Sequence, residues 1–269
     1  MKESDLDMRT IVCMKVVPKT EDVRFDQQTR TLDRSGAENE INQPDKSALE
    51  MALQLKEKHG GDVVLLAMGP PFFEPYLRLG IAMGADNAVL LSDRAFAGAD
   101  TYPTSYTIAM AIRKIGNFDL ILCGEESSDA STGQVPPGIA EWLGIPQVTY
   151  ASQLNIVGNV ARAKRTVKGG YEIVEAPLPL LASVELGCNS PRFPDFRRKR
   201  WVEKELKITV WTAADLGVDP NKIGSKGSHT IVDELVELPR PSRRMKRITG
   251  SPEEEAIQIV QKIKEAFQN

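Results

Sequence analysis

The residues with most chemical promise lie between Gly124 and Pro137, Gly-Glu-Glu-Ser-Ser-Asp-Ala-Ser-Thr-Gly-Gln-Val-Pro-Pro. The segment follows an apolar run and precedes a helical pattern. Small and hydroxyl-bearing residues there leave backbone N–H groups and side-chain oxygens for a pyrophosphate or ribose at a helix start. Composition serves an ordinary polar loop equally well. Glu125 and Glu126 oppose an anion unless they point at hydroxyls or amines. Two other segments converge at strand ends by topology, Cys13-Met14-Lys15 and Met68-Gly69-Pro70-Pro71, and the stretch Phe96 to Thr101 is a candidate fourth wall. Apolar atoms flanking a flat ring, with Lys15 near an anionic group, suit a nucleotide. The plainer reading of Lys15 alone is a solvated strand-end lysine.

The rest of the catalytic inventory is thin. His59 sits in a helix-terminating turn and His229 in a polar stretch, so both read as surface residues. No His/Cys/Asp group has metal-ligand spacing. The sequence has no G-x-S-x-G elbow, no Walker lysine loop and no G-x-G-x-x-G. Hydrolysis and phosphoryl transfer therefore have no visible machinery. A ligand-binding sheet without reactive side chains points to a cofactor that carries the chemistry.

The elements that must position these residues alternate. Strands are expected at 11–17, 62–68, 88–91, 118–122 and 147–150. Helices are expected from Pro44 to His59, from about Phe73 to Met83, from Thr104 to Ile115 and from Gly138 to Leu143. Continuous apolar strands between helices predict an α/β fold, a parallel doubly wound sheet covered on both faces. Its ligands gather beyond the carboxyl ends of the strands. From Leu154 to Leu186 two or three extended stretches follow, with Lys168-Gly169-Gly170 as a hairpin turn. The main domain is expected over 10–210. Residues 211–269 read as an extended arm needing a partner, closed by an amphipathic helix whose capping box is Ser251-Pro252-Glu253-Glu254.

Composition narrows the class. The 269 residues carry 34 Lys+Arg against 37 Asp+Glu, too balanced for a protein built to coat nucleic acid. No apolar run approaches the ~18 residues of a membrane span. Met1 to Met8 carries acidic residues and no apolar core, which predicts neither a secretion signal nor a transit peptide. Three well-separated cysteines fit buried thiols in a reducing, cytoplasmic setting.

Several segments together resemble the small (beta) subunit of electron-transfer flavoprotein, from about Thr10 to Phe267. They are Ile11 to Lys15, Asn42 to Lys56, Ala82 to Asp86, Asp129 to Val135, Asn189 to Phe193 and Asp215 to Asp219. The family signature from Lys168 to Pro179 is present, with Lys168 where an acidic residue is usual. The resemblance implies a heterodimer with an alpha subunit that carries a redox-active FAD. It also implies a nucleotide in this subunit, AMP in ordinary members and FAD in electron-bifurcating ones.

By position that nucleotide would contact Cys13, Asn42, Asp45 and Met68 with Gly69, then Gly124, Ser127, Asp129, Ser131, Thr132, Gly133, Gln134 and Val135. Asp100 and Thr101 would form the further wall. Asp129, Thr132, Gln134, Val135 and Pro137 match the FAD-binding, bifurcating pattern, whereas Pro136 replaces a glycine. Similarity of Ser92 to Thr101 to bifurcating members also favours FAD over AMP. Such a protein takes hydride from NADH and divides its electrons between the alpha-subunit FAD and a low-potential carrier such as ferredoxin. The stretch Asn189 to Arg200 resembles the segment that docks on acyl-CoA dehydrogenases, with Phe193, Phe196 and Arg197 as candidate contacts. The alternatives are a non-bifurcating carrier with structural AMP and an adenine-nucleotide-binding sensor.

Overall fold

Strands that are apolar on both faces need a helical layer on each side, and the computed structural model of the chain supplies both. It describes residues 7–19, 24–26, 31–33, 38–230 and 247–267. The chain divides into two compact units, Met1–Asp233 and Glu234–Asn269.

In chain order the first unit begins with β1 (Met8–Cys13), β2 (Val16–Pro18), β3 (Arg24–Asp26), β4 (Thr31–Asp33), β5 (Asn39–Ile41), α1 (Gln43–His59) and β6 (Gly61–Met68). A 3₁₀ turn at Pro71–Phe73 leads into α2 (Glu74–Met83), then β7 (Asn87–Leu91), α3 (Thr101–Ile115), β8 (Leu120–Gly124) and α4 (Val135–Leu143). The long strands β9 (Gln147–Val157), β10 (Val160–Val167) and β11 (Gly170–Pro177) precede β12 (Leu180–Val184) and α5 (Phe196–Glu205). The unit closes with β13 (Thr209–Trp211), α6 (Ala213–Leu216) and α7 (Gly224–Gly227). The second unit contains α8 (Pro252–Phe267).

One nine-stranded sheet has the order β11-β10-β9-β12-β8-β1-β6-β7-β13. It is parallel from β9 to β13, and β10 and β11 extend it as antiparallel partners. Side chains alternate between two cores. Val12, Leu65, Leu120 and Leu122 meet Leu49, Leu53, Leu77 and Ile81 of α1 and α2. Ile11, Leu66, Ile121 and Cys123 meet Ile108, Ile112, Ile139 and Ala140 of α3 and α4. Each fully buried aliphatic side chain contributes roughly 1.5–3 kcal/mol, so the two-faced burial fixes the register of the central strands.

Several expectations are corrected. The strand expected over 11–17 ends at Cys13, because the Lys15 amide leaves the ladder for the Asp45 carboxylate and Val16–Pro18 pairs with Asn39–Ile41 instead. α3 begins at Thr101, since Asp100 accepts the Tyr102 N–H at 2.9 Å and caps it. α4 begins at Val135, with its prolines in the first turn, where their missing N–H groups cost nothing. His59, expected at the surface, is buried. The basic run Arg197 to Arg200 lies in helix α5, where Asp195 accepts the Arg198 N–H at 2.7 Å. Part of the stretch expected as an arm from 211 is packed into the first unit. Val218 and Ile223 are buried in the core beneath α3, and Trp211, Ala213 and Leu216 pack on it. Residues 231–246 of that arm lie outside the described residues. In α8 the expected capping box forms: Ser251 N–H donates to Glu254 Oε2 at 2.9 Å and Glu254 N–H donates to Ser251 Oγ at 3.3 Å. Ile257, Val260, Ile263 and Phe267 of this helix are exposed.

Candidate functional site

The order β8-β1-β6 sets the carboxyl ends of three parallel strands side by side, so Gly124, Cys13 and Met68 close one rim of the sheet. The amino end of α1 reaches under this rim. Asp45, in its first turn, is buried and accepts two backbone amides, Lys15 N–H at 2.7 Å and Gly124 N–H at 3.0 Å. Asn42 N–H donates to the Lys15 carbonyl at 2.9 Å. Its side chain donates to the Glu126 carbonyl at 2.8 Å and accepts the Ser128 N–H at 3.1 Å. Asn42 and Asp45 therefore turn inward and fix the backbone of two strand-end loops. They were expected as nucleotide contacts; their polar atoms are engaged within the protein. Burial, partly offset by the Lys15 and Gly124 amides and Asn42, pushes the Asp45 carboxyl up to about 7.

Pinned in this way, Lys15 sends its ammonium across the rim. Nζ meets Asp129 Oδ1 at 2.6 Å and Ser127 Oγ at 3.1 Å. Burial works against ionising Asp129, but the hydrogen bond and charge of Lys15 outweigh it and hold the carboxyl below its ordinary value. Ser131 at φ 46° and Gly133 at φ 62° are both left-handed, and the turn closes on itself, the Ala130 and Ser131 N–H groups donating to the Ser127 carbonyl at 3.2 and 2.7 Å. Gly124 must be glycine, because a Cβ there would stand 2.4 Å from Asp45 Oδ1. The loop is closed on its far side by Thr101, whose hydroxyl donates to Gln134 Oε1 at 3.1 Å. Thr132 Oγ1 lies 3.5 Å from the Gln134 N–H, and Val135 starts α4.

Other expected residues fall differently. Asp100 faces away from this loop: its carboxylate accepts Tyr102 N–H, His229 N–H at 2.8 Å and Thr230 N–H at 3.0 Å. Gly69 lies at the rim, where a Cβ would strike the Phe73 ring at 2.3 Å. Glu125 is drawn off the loop, its Oε1 accepting the Leu186 N–H at 3.1 Å. Pro136 and Pro137 carry no N–H, so the α4 start is a poorer anion site than its position suggests. Tyr150, unforeseen from the sequence, has a left-handed φ of 56°, and its hydroxyl would stand 3.3 Å from a Cβ on Gly133. A hollow of about 310 Å³ among Gln147, Val148, Thr149, Arg165 and Val174 lies in the β9–β11 region, with Arg165 committed to Thr149 and Glu172.

A second surface collects apolar and basic groups. Phe193 and Phe196 are 94% and 73% exposed, and Arg197 is exposed beside them. The support beneath is firm: Arg192 binds Glu50 through Nε at 2.8 Å and Nη2 at 3.0 Å, and Arg198 donates to the Ile81 and Ala85 carbonyls. No group of three or more His, Cys, Asp or Glu residues that could hold a metal occurs among the described residues. No helix there is long and apolar enough to cross a membrane.

Comparison with known proteins fits this architecture to a family. The model of the electron transfer flavoprotein domain matches residues 29–216. Electron transfer flavoprotein subunit beta of Thermoanaerobacterium thermosaccharolyticum is 43% identical over 258 residues, covering 95% of this chain and 98% of that one. The chain belongs to the beta-subunit family of electron transfer flavoproteins. It is also 39% identical to the caffeyl-CoA reductase-Etf complex subunit CarD of Acetobacterium woodii, over 96% of this chain and 98% of its relative. Protein FixA of Azorhizobium caulinodans is 39% identical, over 90% and 88%. Membership implies an alpha-subunit partner and an association with flavin.

Proposed function

We propose that the chain binds a nucleotide, FAD in preference to AMP, across the ends of β1, β6 and β8. In this reading it passes electrons from NADH to the FAD of an alpha subunit and to a low-potential carrier such as ferredoxin. The observation that carries the reading is Lys15. Its backbone is locked by Asn42 and Asp45, and its ammonium is held at Ser127 and Asp129 beside the left-handed turn at Ser131 and Gly133. These residues fit a dinucleotide. Lys15, exchanging Asp129 for the ligand, would face its phosphates, the Thr101–Gln134 bond would fix the loop beside it, and the Cys13 and Met68 side chains would offer apolar surface to a ring. A bound flavin supplies the electron chemistry that no side chain here provides. The polypeptide binds, orients and shields.

The similarity of Asp129 to Val135 to the bifurcating pattern supports FAD. Resemblance to CarD, a subunit of a complex with caffeyl-CoA reductase, supports a partner of the acyl-CoA dehydrogenase class. Phe193, Phe196 and Arg197 are the proposed docking contacts there, since exposed aromatics with a charged rim are hot-spot chemistry. The exposed apolar stripe of α8 is the proposed seat of the alpha subunit, and a cytoplasmic setting suits three cysteines that form no disulfide. One observation favours AMP with a non-bifurcating role: Pro136 and Pro137 deprive the α4 start of two amides. Purification with the alpha subunit and a visible spectrum with nucleotide analysis decides. Two FAD per heterodimer supports the proposal, one FAD with AMP supports the ordinary carrier, and AMP without colour supports a sensor.

A further inference from the structure

Cys13 ends β1, and Cys123 is the penultimate residue of β8. The two strands are parallel neighbours in the register Ile11↔Ile121 and Val12↔Leu122, so the next step sets Cys13 opposite Cys123. Both side chains face the α3/α4 side of the sheet: Cys123 lies within that core and Cys13 packs against it. Neighbouring strands run about 4.8 Å apart, inside the roughly 4.4–6.8 Å of Cα separation that a disulfide spans. The two thiols are within hydrogen-bonding reach, and neither they nor Cys188 form a disulfide.

We propose that Cys13 and Cys123 are a redox-active dithiol that closes to a cross-strand disulfide on reaction with a small-molecule disulfide of the glutathione class. Cys13 is half-buried and Cys123 buried, so the reagent meets Cys13 first. The Cys13 thiolate attacks one sulfur of the reagent, and one reagent thiolate leaves. Cys123 gives up its proton and attacks the Cys13 sulfur, and the second reagent thiolate leaves. Two electrons and two protons pass to the reagent, which becomes two thiols. The hydrogen bond that the Cys123 thiol donates to Cys13, then burial, pushes that thiol well above its ordinary value and keeps it protonated, so the first attack falls to the more accessible Cys13. The bond joins the ends of the two strands from which Lys15 and the 125–134 loop depart.

The test uses the full chain, purified reduced, treated with oxidised glutathione, quenched in acid and alkylated with a maleimide. The expected result is loss of two of the three reactive thiols, a linked peptide pair carrying Cys13 and Cys123, and an alkylated Cys188. Cys123→Ala should stop at a glutathione adduct on Cys13. Three alkylated thiols in the wild type would overturn the proposal. So would a persistent glutathione adduct on wild-type Cys13, or a linked peptide containing Cys188.

Discussion

Replacing Asp45 by Asn tests the idea that a buried carboxylate holds the rim together. In the folded chain burial lifts the Asp45 carboxyl from 3.8 to about 7, against the opposing pull of its amide donors. Between those two values the folded chain keeps a proton that the unfolded chain has released. The unfolded state therefore binds fewer protons, and stability falls as pH rises, by about 1.4 kcal/mol per pH unit. From about pH 5 to about pH 8 this single group removes about 2–3 kcal/mol. Asparagine does not titrate, so the variant lacks that slope. It also has one acceptor oxygen where Asp45 has two, and its NH₂ would face the N–H of Lys15 or of Gly124. That mismatch costs about 1–3 kcal/mol at every pH. The wild type should therefore be more stable near pH 5, and the gap should close or reverse near pH 8. Urea unfolding followed by far-ultraviolet circular dichroism at both pH values measures it, because other titrating groups cancel in the difference. Parallel stability curves for the two proteins would refute the reasoning.

Four further outcomes can be checked. Gln134→Ala combined with Thr132→Val should lower the nucleotide content of the purified protein by removing the Thr101–Gln134 closure; unchanged occupancy after dialysis would move the site elsewhere. Phe196→Ala should slow electron exchange with an acyl-CoA dehydrogenase while leaving flavin content intact, and wild-type partner kinetics would remove Phe196 from the interface. Gly124→Ala should destabilise the chain by about 1–3 kcal/mol in thermal unfolding, because its Cβ meets Asp45 and Pro44 within 2.6 Å. Asp100→Ala should release His229 and Thr230, whose amide hydrogens should exchange about tenfold faster in mass-spectrometric hydrogen exchange.

What could be read in advance, and what could not, follows the range of the interactions. The sheet was legible because its strands are apolar throughout, and Val63 to Ala67 or Leu120 to Cys123 fit nothing but a layer buried on both faces. The rim was legible as well, since topology alone brings the ends of β1, β6 and β8 together. Element edges were harder. α4 starts on two prolines that look like loop, and β1 stops at Cys13 because the Lys15 amide is taken by a carboxylate thirty positions away. Residues 213–230 show no period because their burial is made of isolated insertions, Val218 and Ile223 filling the core under α3 one at a time. The least legible matter was direction. Asn42 and Asp45 are residue types that would serve a ribose as well as a peptide amide, and only the closeness of the Lys15 and Gly124 backbones turns them inward. Asp100 sits at a strand-end wall by position, yet the polypeptide itself supplies the N–H groups of residues 229 and 230 to its carboxylate. Where the chain can satisfy a polar side chain from its own backbone, sequence position marks the neighbourhood of a site, and the donor geometry determines which residues are left to face a ligand.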